Sequence, residues 1–338
     1  MTPLEEKMIA LINAQGPISV ATYMGMCLGD PEHGYYMTRD PLGRAGDFTT
    51  APEVSQMFGE MIGLWATMTW AAAGGHDWKV IELGPGRGTL MADILRTGEM
   101  IGFGPEVWFV ETSPILRAKQ EEQVPGANWV DSFDMIPPGP ALILANEFFD
   151  ALPVQQYLWS PEGWRERQVG VIDGRLAWGL SGPLPVNHPG TWYEVSRAAN
   201  SLSGQIAARI GTHGGAALII DYGYRSEDRP DGPTLQAVKS HRKADALVLP
   251  GEADLTWLID FDALGTAMLG LGVYRAAQGP FLTKLGIGQR AAALAEARPD
   301  EADALADALD RLTSPAEMGS LFKVLAVTPT GQPDPPGF

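Results

Sequence analysis

The sequence predicts an α/β protein in which a parallel β-sheet is covered by helices on both faces. Two observations predict this fold. From residue 78 onward, short apolar segments alternate with helical ones, and a glycine-rich turn joins the first of these strands to a helix. The predicted strands span residues 78–83, 107–111, 127–130, 141–145, 216–221 and 321–327.

A helical segment precedes the sheet. A short helix is predicted to end near Gly16, and a second helix starts near Ser19. Apolar residues three and four positions apart predict a longer amphipathic helix over residues 53–73. The polar, glycine-rich stretch 34–53 predicts a loop that leads into the N-cap of this long helix.

Residues 151–180 alternate in polarity around Gly163 and Gly174, which predicts antiparallel hairpins inserted after the fourth strand. Such an insertion lies at the carboxyl ends of the parallel strands, where ligands bind in open α/β sheets, so it is a candidate substrate subdomain. The proline-rich tail is predicted to be loose. We therefore expect three parts: an N-terminal helical segment (1–75), a sheet core (76–150 and 214–330) and an inserted β-rich subdomain (151–213).

Composition and charge exclude several classes of function. The 338 residues include 41 acidic and 24 basic side chains, and the net charge of −17 repels nucleic acid and anionic lipid. No stretch approaches the ~18 unbroken apolar residues of a membrane span. The single cysteine, Cys27, excludes an intramolecular disulfide, and the sequence shows no spacing typical of a metal site. The N-terminus lacks the pattern of a signal or transit peptide, which predicts a cytoplasmic location.

A glycine turn follows the first predicted strand. Its residues are Gly84, Pro85, Gly86, Arg87 and Gly88. Glycines allow a ligand to approach the backbone closely, and the start of the following helix offers unpaired N–H groups. Glu111 ends the next strand, where it is placed to accept hydrogen bonds from two ribose hydroxyls.

Two cofactors compete for this turn. A dinucleotide fingerprint has the spacing G-x-G-x-x-G, whereas this turn has G-x-G-x-G with Glu82 two residues before its first glycine. A carboxylate at that position opposes a pyrophosphate but helps to hold a cationic aminocarboxypropyl group. The sequence therefore favours S-adenosylmethionine over NAD, and a tight glycine connection without a ligand is the remaining alternative.

Three further candidates follow the third predicted strand, where an adenine ring would lie. Phe133 offers the ring an apolar contact, and Asp131 or Ser132 offers it a polar one. Many short loops carry such a set, so these residues are candidates only in combination with the glycine turn.

Polar residues also cluster after the fourth predicted strand. Asn146 is a candidate cofactor contact, and Glu147 and Asp150 are candidate catalytic residues. Methyl transfer from a sulfonium is an in-line displacement, so the protein must chiefly align the acceptor and exclude water. If the acceptor is an arginine, these two carboxylates can pair with its guanidinium and concentrate charge away from the attacking nitrogen. Their alternative roles are capping the next helix or forming solvent-facing ion pairs.

A second polar edge follows the fifth predicted strand. Tyr222 is a candidate wall of the acceptor pocket. His241 is a candidate proton acceptor, and its alternative role is that of a hydrogen-bonded structural histidine. Tyr222 and His241 complete the predicted catalytic set.

Several blocks of the chain carry a family resemblance, and together they extend over nearly its whole length: residues 46–60, 82–90, 146–154, 221–224, 250–256, 278–282 and 318–325. They resemble the MidA-like family of S-adenosylmethionine-dependent protein arginine methyltransferases, which includes the mitochondrial complex I assembly factor. The first and third blocks are much more specific to this family than the glycine turn is.

The resemblance implies a class I methyltransferase, Rossmann-like fold in which Phe48 and Thr50 belong to a segment that lies over the cofactor. It also implies symmetric dimethylation of an arginine on a respiratory complex I subunit. Trp257 and Leu258 stand where bacterial relatives usually carry a small residue and a histidine, so a proton-handling role of that histidine is absent or replaced here.

The leading hypothesis is thus a methyltransferase that acts on an arginine of a protein. One alternative is a methyltransferase acting on a small molecule. Another is a non-catalytic assembly chaperone that retains the cofactor pocket. The sequence leaves a homodimer open.

Overall fold

The computed structural model describes residues 1–41, 50–99, 101–186, 188–239 and 242–338. Its α-helices are α1 (Pro3–Gln15), α2 (Val20–Gly29), α3 (Tyr35–Thr38), α4 (Ala51–Val54), α5 (Gln56–Ala72), α6 (Thr89–Glu99), α7 (Pro114–Gln123), α8 (Arg197–His213), α9 (Phe261–Thr266), α10 (Gln278–Leu285), α11 (Ile287–Ala297), α12 (Ala302–Thr313) and α13 (Met318–Leu321). Its strands are β1 (Ile18–Ser19), β2 (Lys79–Leu83), β3 (Glu106–Val110), β4 (Asn128–Val130), β5 (Ala141–Asn146), β6 (Gln155–Ser160), β7 (Gly163–Ile172), β8 (Arg175–Leu180), β9 (Trp192–Val195), β10 (Gly215–Tyr224), β11 (Gln236–Lys239), β12 (Arg242–Ala244), β13 (Asp254–Thr256), β14 (Ile259–Asp260), β15 (Gly272–Ala277) and β16 (Phe322–Thr328).

The chain divides into two compact units. The hairpin unit comprises Met1–Phe48, Asp150–Ser201 and Glu227–Leu258. The sheet unit comprises Thr49–Phe149, Leu202–Ser226 and Ile259–Phe338. This grouping places 150–201 with the N-terminal segment, whereas the sequence treats the two as separate parts, and the three-part division stays a prediction.

The sheet unit contains the predicted α/β sheet. Its strands lie in the order β15, β16, β10, β5, β2, β3, β4, and β14 pairs with the end of β10. Strands β4, β3, β2, β5 and β10 are parallel, which confirms the prediction, and β16 runs antiparallel between β10 and β15. The sequence did not predict β15, because it is half-buried along its whole length and lacks a clear apolar pattern. The parallel strands bring their carboxyl ends to one edge of the sheet.

Helices α5 and α6 pack closely within the sheet unit. The predicted amphipathic helix begins at Gln56, where the side chain of Ser55 accepts a hydrogen bond from Met57 N. A Cβ on Gly59 would lie 2.5 Å from the side chain of Asp93 on α6, and the equivalent distance from Gly63 to Thr97 is 2.8 Å. The two glycines of α5 therefore allow a close approach of α6, the helix that follows the glycine turn.

The hairpin unit contains the predicted antiparallel hairpins. Strands β6, β7 and β8 pair in sequence, β9 extends the sheet beside β6, and β1 pairs with β7. A separate sheet has the order β12, β11, β13. Cys27 is buried on α2, and its burial raises the pKa of the thiol to about 12, so the thiolate is disfavoured.

Two local predictions are wrong. The stretch predicted as a loop contains the short helix α3, whose Thr38 bonds back to Gly34 O through both its N–H and its hydroxyl. The C-terminal tail is not loose, because the ring of Phe338 lies 5.2 Å from that of Phe281 and 6.0 Å from that of Tyr274. Residues 42–49, which include Phe48, lie outside the described residues.

No helix in the described ranges is long and apolar enough to cross a membrane.

Candidate functional site

The glycine turn between β2 and α6 adopts a backbone conformation that requires its glycines. Gly84, Gly86 and Gly88 have φ values of +61°, +56° and +85°, in the left-handed region. The Gly84 N–H donates to Val110 O at 3.0 Å, which ties the turn to β3. The Gly88 N–H donates to Pro85 O at 2.8 Å, which closes the turn on itself.

Two buried acceptor atoms at this edge have no hydrogen-bond partner among the described residues. Glu82 on β2 is 3% exposed, and its Oε2 is one of these atoms. Burial raises the pKa of the Glu82 carboxyl group to about 8. The other atom is Oδ1 of Asn146, at the end of the neighbouring strand β5. Buried acceptors without partners are complementary to a ligand that donates hydrogen bonds or carries positive charge.

Glu111 follows β3 and is held by a hydrogen-bond network. Its Oε1 accepts from the N–H groups of Thr112 and Ser113, both at 2.8 Å, and its Oε2 accepts from Nε2 of Gln120 at 3.1 Å. Burial raises the pKa of this carboxyl group, although these hydrogen bonds act in the opposite direction. Gln120 also donates to Gly86 O at 2.7 Å, so one fully buried side chain joins the glycine turn to Glu111.

The three adenine candidates follow β4. Asp131 is exposed and forms an ion pair with Arg117 at 2.6 Å. The hydroxyl of Ser132 hydrogen bonds to a carboxylate oxygen of Asp134 at 2.5 Å. Phe133 is buried, and the guanidinium of Arg209 lies 5.8 Å from its ring centre. Their cofactor role stays a prediction.

Glu147 follows β5 in an unusual backbone conformation. Its φ is +51°, which is uncommon for a residue with a side chain and is typical of constrained functional positions. Its N–H donates to Ile220 O at 2.9 Å. Its Oε1 accepts from Ala51 N at 2.9 Å and from Asn146 Nδ2 at 3.2 Å. Both the backbone and the carboxylate of Glu147 are therefore positioned by the sheet unit.

Asp221 holds the turn that contains Glu147. It is fully buried on β10, and its Oδ2 accepts from Phe148 N at 3.2 Å and from Phe149 N at 2.8 Å. Its Oδ1 accepts from Tyr222 N at 2.9 Å. A buried carboxylate with several backbone donors is a rigid support, so Asp221 fixes the two residues after Glu147.

A short arch, residues 50–54 including α4, contacts the start of α6. Thr50 caps α4 through its backbone position, without a side-chain cap. Glu53 Oε1 accepts from the hydroxyl of Thr89 at 2.7 Å, and Glu53 Oε2 lies 3.7 Å from Nη1 of Arg87. The arch is thereby fastened to the glycine turn and, through Ala51 N, to Glu147.

Asp150 and Tyr222 belong to different units of the fold. Asp150 is buried in the hairpin unit, where its carbonyl accepts from Trp257 N at 3.3 Å. The indole N–H of Trp257 donates to Leu152 O at 2.9 Å, and Trp257 is buried, so Trp257 helps to build the core of the hairpin unit. The ring of Tyr222 packs against that of Phe322 in the sheet unit, with the ring centres 4.1 Å apart and the planes tilted by 41°. His241, like Phe48, lies outside the described residues.

The sheet unit thus brings Glu82, the glycine turn, Glu111, Asn146 and Glu147 to one edge. The sequence reasoning missed three residues that support them: Glu53, Gln120 and Asp221. Gln120 lies on the same face of α7 as Leu116, and a polar residue on a buried helix face was the available signal. Within the ranges that the structure describes, no group of three His, Cys, Asp or Glu could hold a metal ion.

Comparison with known proteins shows that this chain is similar to methyltransferases. A family model for S-adenosyl-L-methionine-dependent methyltransferases matches residues 61–276. The protein arginine methyltransferase NDUFAF7, mitochondrial, of Danio rerio is 35% identical, over 95% of this chain and 86% of that protein. Its Homo sapiens counterpart is 34% identical, over 97% of this chain and 84% of that protein.

A solved structure extends the similarity to the whole fold. A protein from Burkholderia thailandensis, crystallised with S-adenosyl-homocysteine bound, matches with a TM-score of 0.88 and 29% identity, over 99% of this chain and 93% of that chain.

The predicted cytoplasmic location is wrong. The relatives from Danio rerio and Homo sapiens are named as mitochondrial proteins, which points away from the cytoplasm. The prediction rested on the N-terminal residues, which lack the pattern of a signal or transit peptide, and the names of these relatives overturn it.

Proposed function

Because the chain belongs to the family of S-adenosyl-L-methionine-dependent methyltransferases, we propose that it methylates an arginine side chain of a protein at the carboxyl edge of the sheet unit. Family membership confirms the predicted methyltransferase activity and the S-adenosylmethionine cofactor. The relative with bound S-adenosyl-homocysteine confirms the predicted fold class. The arginine acceptor is supported by the names of the relatives.

The residues at the carboxyl edge fit the cofactor. When bound, S-adenosylmethionine supplies an electrophilic methyl group on a sulfonium. Glu82 and Asn146 offer the two unpartnered acceptors, which suit the ammonium group of the aminocarboxypropyl chain. Gly84 and Gly86 hold the turn at positive φ, and Glu111, which Gln120 holds in place, is the proposed acceptor for a ribose hydroxyl.

The fixed carboxylate of Glu147 is the structural observation that supports an arginine as the methyl acceptor. A guanidinium stays protonated at neutral pH, so its recognition needs a carboxylate held in a fixed direction. Glu147 meets this requirement because its backbone is locked at a positive φ and its Oε1 is bonded to Ala51 N. Pairing with this carboxylate would orient the guanidinium and concentrate its charge away from the attacking nitrogen. The role of Asp150 in the same pairing stays a prediction.

The proposed acceptor is a respiratory complex I subunit, and the proposed product is symmetric dimethylarginine. Both follow from the family resemblance of blocks such as 46–60 and 146–154. The net charge of −17 is consistent with a cationic acceptor segment.

The test is a labelling experiment. The purified chain is incubated with complex I subunits and S-adenosylmethionine carrying a radioactive methyl group, and the labelled protein is hydrolysed for amino-acid analysis. We expect labelled symmetric dimethylarginine. The Glu147→Gln variant is expected to lower turnover at least tenfold while the affinity for S-adenosyl-homocysteine stays within twofold, because the proposed partner of Glu147 is the acceptor guanidinium and not the cofactor.

The matched control is Glu99→Gln, which changes an exposed carboxylate at the end of α6. This control should leave both the turnover and the affinity for S-adenosyl-homocysteine unchanged. Label on free metabolites alone would replace the proposal with a small-molecule methyltransferase. Cofactor binding without any transfer would favour the assembly chaperone. A loss of cofactor affinity in Glu147→Gln would move this residue to the cofactor site.

A second prediction concerns Asp221 as a positioning residue. The Asp221→Asn variant replaces one carboxylate oxygen by an NH₂ group that faces backbone donors, so the turn with Phe148 and Phe149 loses part of its support. We expect kcat to fall at least tenfold, with the affinity for S-adenosyl-homocysteine within twofold of the original. Asp262→Asn is the control, since Asp262 also accepts from a backbone N–H, that of Ser226, but far along the chain from Glu147. Equal losses of kcat in both variants would show that Asp221 stabilises the fold in general and does not position Glu147.

A further inference from the structure

Helix α7 packs against the glycine turn within the sheet unit. A Cβ on Gly88 would lie 3.4 Å from Cα of Gln120, so the backbones of the turn and of the helix are in close contact. Gln120 lies on the buried face of α7, and its side chain is fully buried. A buried amide needs hydrogen-bond partners, and those of Gln120 come from three segments that are distant along the chain.

Both N–H groups and the oxygen of the Gln120 amide have partners. Its Nε2 donates to Gly86 O at 2.7 Å and to Oε2 of Glu111 at 3.1 Å. Its Oε1 accepts from the indole N–H of Trp129 at 2.8 Å. One planar group therefore joins the glycine turn, the end of β3 and strand β4.

Trp129 fixes the orientation of this amide. An indole N–H only donates, whereas a carbonyl oxygen and an ionised carboxylate only accept, so a single orientation of the amide satisfies all three partners. Trp129 is itself held by the sheet, because it is opposite Phe109 in the pairing of β3 with β4 and the two ring centres lie 5.9 Å apart. Phe109 is fully buried. The indole is thus a fixed donor, and the amide is fixed by it.

The orientation of the amide matters for Glu111, the proposed acceptor for a ribose hydroxyl. The backbone N–H groups of Thr112 and Ser113 hold Oε1 of Glu111, and Gln120 holds Oε2. The bond from Gln120 also opposes the rise in the pKa of Glu111 that burial causes, so it favours the ionised carboxylate. An ionised carboxylate accepts from hydroxyl groups and has no proton to donate.

We propose that Gln120, oriented by Trp129, is a positioning residue that makes the cofactor site selective for an intact ribose. The inference rests on the proposed cofactor roles of Glu111 and the glycine turn. Gln120 acts without touching the cofactor, because its Nε2 binds both Gly86 and Glu111 and so fixes one relative to the other. A ligand that lacks a ribose hydroxyl gains less from a well-placed Glu111, so its affinity should depend less on Gln120.

The test compares S-adenosyl-homocysteine with its 2′-deoxy and 3′-deoxy analogues by calorimetric titration of the full chain. We expect the original chain to bind S-adenosyl-homocysteine at least about tenfold more tightly than one of the analogues, the usual contribution of a hydrogen bond to a charged group. Gln120→Met keeps the length of the side chain but removes the amide, so this preference should fall below about threefold. A purely structural role would weaken the binding of all three ligands equally and leave the preference unchanged.

A second variant tests the orientation of the amide. Trp129→Phe keeps an aromatic ring beside Phe109 but removes the donor to Gln120, so the preference should again fall, by at least about threefold. Trp108→Phe is the matched control. Trp108 precedes Phe109 on β3, so its side chain is on the other face of the sheet, and its indole N–H has no hydrogen-bond partner among the described residues. This control should keep the preference of the original chain.

The possible failures are distinguishable. The inference alone is overturned if Gln120→Met or Trp129→Phe keeps the preference for S-adenosyl-homocysteine, or if Trp108→Phe loses it to the same extent. If the original chain binds all three ligands equally, Glu111 does not accept from the ribose, and the inference falls with that role. If the original chain does not bind S-adenosyl-homocysteine at all, the proposed cofactor site is overturned as well.

Discussion

Replacing Glu82 with Gln is expected to weaken S-adenosyl-homocysteine binding by roughly 10- to 100-fold, because a hydrogen bond to a charged group contributes about 1.5–3 kcal/mol. The carboxyl group of Glu82 is buried and has a pKa of about 8, so it is largely neutral at pH 7 in the ligand-free protein. An ammonium group placed beside it favours the ionised form and lowers this pKa. Calorimetric titration of both proteins measures the loss.

The affinity for S-adenosyl-homocysteine should also depend on pH. Binding a cation requires the ionised carboxylate, so affinity should rise between pH 6 and pH 8 by up to about tenfold per unit and then level off. Proton release on binding should be measurable in buffers of different ionisation enthalpy. Both effects should be absent in Glu82→Gln.

The stability of the ligand-free protein should respond to pH in the opposite direction. The raised pKa of Glu82 favours the folded state fully below the unfolded value near 4.5, and this contribution is lost as pH rises through about 8. Glu82→Gln should therefore flatten the decline in stability over that range.

Glu194→Gln is the matched control, since Glu194 is a carboxyl group of the hairpin unit whose pKa is also raised, chiefly by burial. It should not alter the pH dependence of cofactor affinity. An unchanged affinity in Glu82→Gln would show that the cofactor does not contact this residue.

The second large effect is expected for Gly84→Ala. A Cβ on Gly84 would lie 2.5 Å from Cδ2 of Phe148, and the φ of +61° is strained for any residue with a side chain. Strain and overpacking together should lower the free energy of unfolding by about 2–5 kcal/mol. The same strain should distort the glycine turn that is proposed to hold the cofactor, so we expect cofactor affinity to fall at least 100-fold.

The Gly102→Ala variant separates the effect of backbone strain from that of overpacking. Gly102 has a φ of +77°, but nothing lies within 4 Å of an added Cβ. This variant should lose only about 1–2 kcal/mol, from backbone strain, and should keep its cofactor affinity. Chemical denaturation and titration of the two variants measure both quantities. Equal losses would show that backbone strain alone accounts for the effect at Gly84.

Much of the fold and part of the site could be predicted from sequence, because the signals are local. The 3.6-residue periodicity of α5, the apolar runs of the parallel strands and the glycine turn each depend on neighbours along the chain. The carboxylate of Glu82 beside that turn was sufficient to favour S-adenosylmethionine over NAD, and family membership confirms that preference. Strand β15 escaped prediction because its half-buried residues carry no periodic pattern.

Contacts between distant residues could not be predicted in the same way. The bond from Phe149 N to Asp221 spans 72 positions, that from Thr89 to Glu53 spans 36, and that from Gln120 to Gly86 O spans 34. The same holds for the packing of Phe338 on Phe281, which fixes the tail that the sequence predicts to be loose.

The sequence by itself determined the alternation of parallel strands with helices, the glycine turn and the class of cofactor, since backbone conformation and turn chemistry are encoded locally. Only the tertiary structure decided how the site is held. It leaves the acceptors of Glu82 and Asn146 without partners, and it supports Glu147 through Asp221 and Ala51. The physical reason is that burial and hydrogen bonding depend on which distant segments the fold brings together, and no local pattern records that.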